Sequence, residues 1–117
     1  MHSKLVMGAV GAACALALLT LDAAASSVGA DAQRGRQIAA TTCRVCHGID
    51  GLGTNPTVPH IAGESEMYLI KQLQDFRAGR RENAQMSVVA ASLDDESIRH
   101  LAAWYSSIKI SVTLPGE

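Results

Sequence analysis

Cys43-Arg44-Val45-Cys46-His47 sets two thiols three residues apart, with an imidazole directly after the second. Two thiols so spaced can add across the two vinyl groups of a haem, and the adjoining histidine then reaches the iron; this is the pattern of c-type haem attachment. The same residues also suit a dithiol–disulfide redox pair or half of a zinc site, and a motif this short can arise by chance. A redox pair, however, has no need of the histidine in fifth place. On the haem reading, Cys43 and Cys46 are the covalent anchors of one haem c. His47 is then the proximal iron ligand through Nε2. Its other nitrogen needs a fixed hydrogen-bond acceptor, which orients the ring and strengthens its basicity.

Haem iron has a second axial position, and the sequence offers several side chains for it. Met86 lies in a polar stretch between two helical patterns, where packing gives little reason for a large thioether. Met67 falls on the apolar face of a strong helical pattern and reads as core, the commoner use of methionine. His60 follows Pro59 on a loop, and His100 lies on a helix face away from the apolar stripe. Both histidines read as solvent-facing.

The elements that must position these groups begin after an export signal. Lys4 provides a short positive region, Leu5 to Leu21 is apolar apart from Gly8, Gly11, Cys14 and Thr20, and Ala23-Ala24-Ala25 supplies small residues for cleavage. Val28-Gly29-Ala30 is a second option, so residues 1–25, or up to 30, are expected to be removed and the remainder to be periplasmic. An uncleaved anchor is the competing reading, but the run is at the short edge of a spanning helix. Cys14 does not read as a lipid-attachment site, because leucines continue past it and Gly11 stands three before it. It would leave with the signal. The mature chain, 26–117, then has two cysteines and no structural disulfide.

One domain is what this length supports. Phe76, Trp104, Tyr68 and Tyr105 are the only aromatics, and a domain so small is marginal on its own. A covalently held haem would add the missing apolar volume. The formal charge of −1 is unchanged when Lys4 and Asp22 leave, and no basic stripe supports nucleic-acid binding.

Asp31 to Cys43 reads as a first helix capped by Asp31, with Ala32, Gly35, Ile38 and Ala39 on one face. Gly35 costs helix propensity, which suits a close crossing by another helix. Residues 48–63, with Gly48, Gly51, Gly53, Gly63, Pro56 and Pro59, read as loop. Glu64 to Ala78 is the clearest helix: Met67, Ile70, Leu73 and Phe76 recur at helical spacing, and Gly79 fits the stop. Arg80 to Leu93 reads as loop. Asp94 then caps a last helix, with Asp95 and Glu96 in its first turn and Ile98, Leu101, Ala102, Tyr105 and Ile108 as its buried stripe. Trp104 has only packing to recommend it. No stretch shows strand alternation with hairpin signals, so the expected fold is all-α.

These motifs, in order, resemble a class I cytochrome c of the small, short-loop bacterial type, similar also to single domains of di-haem cytochromes c. The matching run is Cys43-x-x-Cys46-His47-Gly48, Pro59-x-Ile61-Ala62-Gly63-Glu64, Tyr68-x-x-x-Gln72-Leu73-x-x-Phe76-x-x-Gly79-x-Arg81, Met86, and Leu93-Asp94-Asp95-Glu96-x-Ile98-x-x-Leu101-Ala102. Glu64 departs from the glutamine such proteins often carry. The resemblance implies three to four helices wrapped around one covalently attached haem. It also implies the Pro59 carbonyl as acceptor for the His47 ring, Met86 as sixth ligand, and Tyr68, Gln72 and Arg81 at the haem edge or its propionates. A solvated basic turn at Arg77, Arg80 and Arg81 is the plain alternative for the last of these.

With both axial positions filled by protein atoms, one-electron transfer is favoured over catalysis. The expected function is that of a monomeric periplasmic electron carrier of a respiratory or similar chain, not an enzyme, docking transiently with redox protein donors and acceptors. Alternatives are a haem-containing subunit of a dehydrogenase or oxidase complex and an open-site haem enzyme or gas sensor.

Overall fold

The structure, a computed structural model, describes residues 29–116. The expected signal segment 1–25 lies outside the described residues. Five helices follow one another: α1 (Ala32–Thr42), α2 (Arg44–His47), α3 (Glu66–Arg77), α4 (Met86–Ala91) and α5 (Asp95–Ser107). The described residues contain no strand. Five helices exceed the three to four expected because two are very short: α2 has 4 residues and α4 has 6. The stretch 80–93, expected as loop, contains α4.

Capping residues fix the helix ends. Asp31 Oδ1 accepts from the backbone N–H groups of Gln33 and Arg34, at 2.8 and 3.2 Å. Asp94 Oδ1 accepts from Ser97 N at 2.7 Å. Each satisfies donors that the first helical turn leaves unpaired. Helix α3 starts two residues later than Glu64, because Ser65 is its N-cap and takes the Tyr68 N–H. It ends at Arg77 with Ala78 as its C-cap, followed by Gly79 with φ +72°, a left-handed conformation glycine adopts without steric cost.

The core forms where α5 packs against α1 on one side and α3 on the other. Ala39, Leu69, Leu93, Ile98, Leu101, Ala102 and Tyr105 are its buried members. The α5 stripe matches its expectation from Ile98 to Tyr105, whereas Ile108 is the C-cap and only partly buried. At the α1–α5 crossing, a Cβ on Gly35 would sit 1.9 Å from the carbonyl oxygen of His100. Only a residue with no side chain lets the two helices approach this closely.

Two expectations fail here. Met67 is 82% exposed and is not core; the buried face of α3 is carried by Leu69 and Phe76, with Ile70 and Leu73 partly covered. The α3 stripe is thus turned away from Met67 toward Leu69. His100 is 4% exposed and not a solvent histidine. Its Nδ1 accepts the Asp31 N–H at 2.8 Å, and its Nε2 lies 3.3 Å from Glu96 Oε1. Since Nδ1 is an acceptor, the proton sits on Nε2 and the ring spans the start of α1 and the first turns of α5.

Candidate haem site

Helix α2 carries the CxxCH motif directly behind α1. Cys43 is both the C-cap of α1 and the N-cap of α2: its N–H donates to Ala39 O, and its carbonyl accepts from His47 N, both at 3.0 Å. Thr54 returns to the motif, donating from N and Oγ1 to Cys46 O at 2.9 Å each. This satisfies a carbonyl of the last helical turn.

The Cys46 thiol is exposed, whereas Cys43 is partly buried against the core. Burial pushes the Cys43 thiol up to about 11, with the Tyr105 hydroxyl opposing the shift and Cys46 adding to it. A redox-active Cys-x-x-Cys pair requires the reverse, a thiol whose pKa is lowered so that thiolate is available. The Cys43 environment therefore argues against the dithiol reading. Among the described residues, no three His, Cys, Asp or Glu side chains gather where they could hold a metal ion.

His47 is buried, 9% exposed, and its Nδ1 lies 3.0 Å from the Pro59 carbonyl oxygen. A carbonyl can only accept, so Nδ1 carries the proton and the lone pair is at Nε2. That tautomer is the one a metal-binding imidazole needs. The loop that brings Pro59 back is closed by Gly51. Its carbonyl accepts from Ile61 N and Ala62 N at 2.7 and 3.1 Å, and its φ of +74° brings it within a clashing Cβ's distance of Ala62. His60 is exposed as expected, but its Nδ1 accepts from Gly53 N at 2.8 Å and so serves the same loop.

Helix α5 holds the other flank of the motif. Tyr105 donates to Gly48 O and Trp104 Nε1 donates to Ile49 O, each at 3.0 Å. Burial and the nearby Cys43 raise the Tyr105 pKa and keep its hydroxyl a donor. Arg36 of α1 lies over the Trp104 ring, 5.7 Å from its centroid. Trp104 therefore does more than pack. The sequence signal for both was available: aromatic residues with polar tips, when buried, seek a partner.

On α3 and the turn after it, Gln72 and Arg81 are brought together. Arg81 Nη1 donates to Gln72 Oε1, and its guanidinium lies 4.6 Å from the Phe76 ring centroid. Tyr68 is half exposed, and no polar contact joins its side chain to this pair among the described residues. Nor is the basic turn merely solvated. Arg77 donates to Leu93 O at 2.9 Å and pairs with Asp95; Arg80 Nε donates to Asp75 Oδ1 at 2.8 Å.

Asp75 is the anchor of that turn, and sequence reasoning missed it. Its backbone carbonyl accepts from Arg80 N and Arg81 N at 2.9 and 3.1 Å, and its carboxylate also pairs with Lys71. Lys71 first, then Arg80, hold the carboxyl below its ordinary value of 3.8. A lowered folded-state pKa stabilises the fold above the ordinary value, and this contribution is lost as pH falls through the lowered one. Asp75→Asn should therefore lower the urea midpoint most at neutral pH. The gap to the unsubstituted protein should close as pH falls below 3.8, measured by circular dichroism in parallel titrations.

Met86 is the first residue of α4 and is partly buried. Helix α4 packs on α3, while α2 packs on α1. His47 and Met86 thus project from short helices on separate packing pairs that α5 and the core join.

The sequence model of the cytochrome c family matches residues 32–109. The chain belongs to the cytochrome c family. Cytochrome c4 of Pseudomonas aeruginosa is 36% identical over 95 residues, covering 81% of this chain and 47% of that protein. Cytochrome c-554(548) of Halomonas halodenitrificans is 42% identical over 69 residues, 56% of this chain and 83% of that protein. Among solved structures, cytochrome c4 of Acidithiobacillus ferrooxidans superposes with a TM-score of 0.63 at 34% identity, covering 67% of this chain and 49% of that one. The all-helical arrangement is the cytochrome c fold. The chain spans about half the length of the cytochromes c4 it matches. As a cytochrome c it carries one haem c, attached covalently through Cys43 and Cys46. The donor set fits that group: two thiols at the required spacing, one exposed, and an imidazole tautomer with its lone pair at Nε2.

Proposed function

We propose that this cytochrome is a periplasmic one-electron carrier whose haem iron is held between His47 Nε2 and Met86 Sδ. The observation that carries the reading is the His47–Pro59 hydrogen bond of 3.0 Å, which places the proton on Nδ1 and turns Nε2 toward a metal. One-electron exchange between Fe(II) and Fe(III) is the chemistry the haem supplies. The chain's own residues keep the site from changing shape between the two states. Pro59 holds the His47 ring, Tyr105 and Trp104 hold the backbone just after it, and Asp75 anchors the turn that leads to Met86. With no substrate position left open, the cytochrome passes electrons without catalysing a bond change.

In the same reading residues 1–25 direct export, and 26–117 form the carrier domain. No helix among the described residues is long and apolar enough to cross a membrane. Partners are redox proteins that meet the domain transiently. Such encounters need only a small contact area. Arg81, stacked on Phe76 and bonded to Gln72, is the residue this reading assigns to a haem propionate, since its planar fork suits a carboxylate.

The test is Met86→Ala in the exported holoprotein. The weak charge-transfer band of thioether-ligated ferric haem should vanish and ferrous protein should bind CO. The potential should fall by more than about 100 mV, a fraction of the range of roughly 0.8 V that axial ligands span. Spectra unchanged from the unsubstituted protein would move the sixth ligand to another residue.

A further inference from the structure

Met86 opens α4, and what holds it there is not the helix itself. Gln85, formally the N-cap of α4, makes no capping bond with its side chain. That role falls to Asn83. Its Oδ1 accepts from Gln85 N and from Met86 N, each at 3.0 Å. Its carbonyl accepts from Ser87 N at 2.9 Å, and its own N–H donates to Ser87 Oγ at 3.2 Å. Four hydrogen bonds from one exposed residue thus enclose Met86 between its two sequence neighbours. On the near side, the turn leaves α3 through the Asp75 contacts to Arg80 and Arg81. Between Arg81 and Asn83 stands only Glu82.

From this geometry we infer that Asn83 is the positioning residue for the sixth ligand. It fixes the backbone from which the Met86 thioether is presented, without itself touching the iron. The inference rests on the reading of Met86 as that ligand. A helix of 6 residues is far too short to be stable by its own hydrogen bonds, so its first turn depends on the cap. Without the Oδ1 acceptor, the Met86 N–H loses its partner and the thioether spends more time away from the iron. An external ligand competing for the same position reports that time directly.

The experiment titrates imidazole into the ferric holoprotein of four variants. Asn83→Ala should bind imidazole about fivefold more tightly than the unsubstituted protein, the factor that a good N-cap is worth. Asn83→Asp and Asn83→Ser keep a capping acceptor and should stay within about twofold. Met86→Ala sets the limit of a fully open position. Should Asn83→Ala yield no holoprotein, Asn83→Leu, similar in size and without an acceptor, is used in its place. Equal imidazole affinity in the acceptor-free variant and the unsubstituted protein overturns the inference. A Met86→Ala variant that binds imidazole no better than the unsubstituted protein overturns the ligand assignment instead, so the two failures are told apart.

Discussion

Exported protein carrying Cys43→Ala together with Cys46→Ala is expected to be colourless and to lack the mass of one haem. The effect should be total because the two thioether bonds are the only covalent link between the chain and its haem. The loss should extend to the fold. Cys43 packs against the same apolar cluster as Ile49, Ile61 and Trp104, and among the described residues the large side chains that are fully buried are Ile98 and Leu101. A domain of this size, with its largest apolar component gone, has little left to offset chain entropy. The measurements are the pyridine haemochrome spectrum, intact mass and circular dichroism of the purified protein. Normal haem content in the double variant would refute covalent attachment at these thiols.

Gly35→Ala should destabilise the holoprotein by about 2 kcal/mol or more, a fall in Tm of roughly 10 °C or more for a domain of this size. The sign is not obvious from propensity, since alanine in place of glycine favours a helix by about 1 kcal/mol. The crossing decides it. The new Cβ would lie 1.9 Å from His100 O, 2.5 Å from His100 C and 2.9 Å from Trp104 Cβ. Two of these atoms are backbone and cannot rotate aside. Relief requires α1 to move off α5, which weakens the packing of Ala39, Ala102 and Leu101 together and typically costs several times the gain. Displacing Trp104 also threatens its bond to Ile49 O, so the His47 flank should loosen with it. A thermal scan followed at the haem absorbance tests both. An unchanged midpoint would mean the helices part without cost.

Much of this was legible in the sequence because it lay in local spacing. The CxxCH motif, the Asp31 and Asp94 caps, the Gly79 stop and the α5 stripe each depend on residues within a few positions of one another. Gly35 was legible too, since a glycine inside an amphipathic helix asks for a reason, and a crossing helix is a common one. What stayed hidden were choices that only tertiary contacts make. Met67 and Leu69 are both apolar on α3, and spacing alone does not say which side the core occupies. His100 fell on a helix face away from the apolar stripe and so read as exposed, yet the partner for its Nδ1 lies 69 residues away in sequence. The positions around Met86 failed for another reason. Asn83 and Asp75 act through backbone bonds whose partners are unremarkable, and a six-residue helix leaves almost no periodic trace. The Asn83-x-x-Met86 spacing was nonetheless a capping signal that could have been weighed.

The hydrogen bonds from Trp104 and Tyr105 reach back 55 and 57 residues. The stretch following the cysteines is therefore secured from α5, at the far side of the fold's sequence order. Cys43 lies beneath that closure, packed against the same cluster as Ile49, Ile61 and Trp104 and only partly exposed. Opening this seam between the last helix and the motif is the local motion that would bare the Cys43 sulfur.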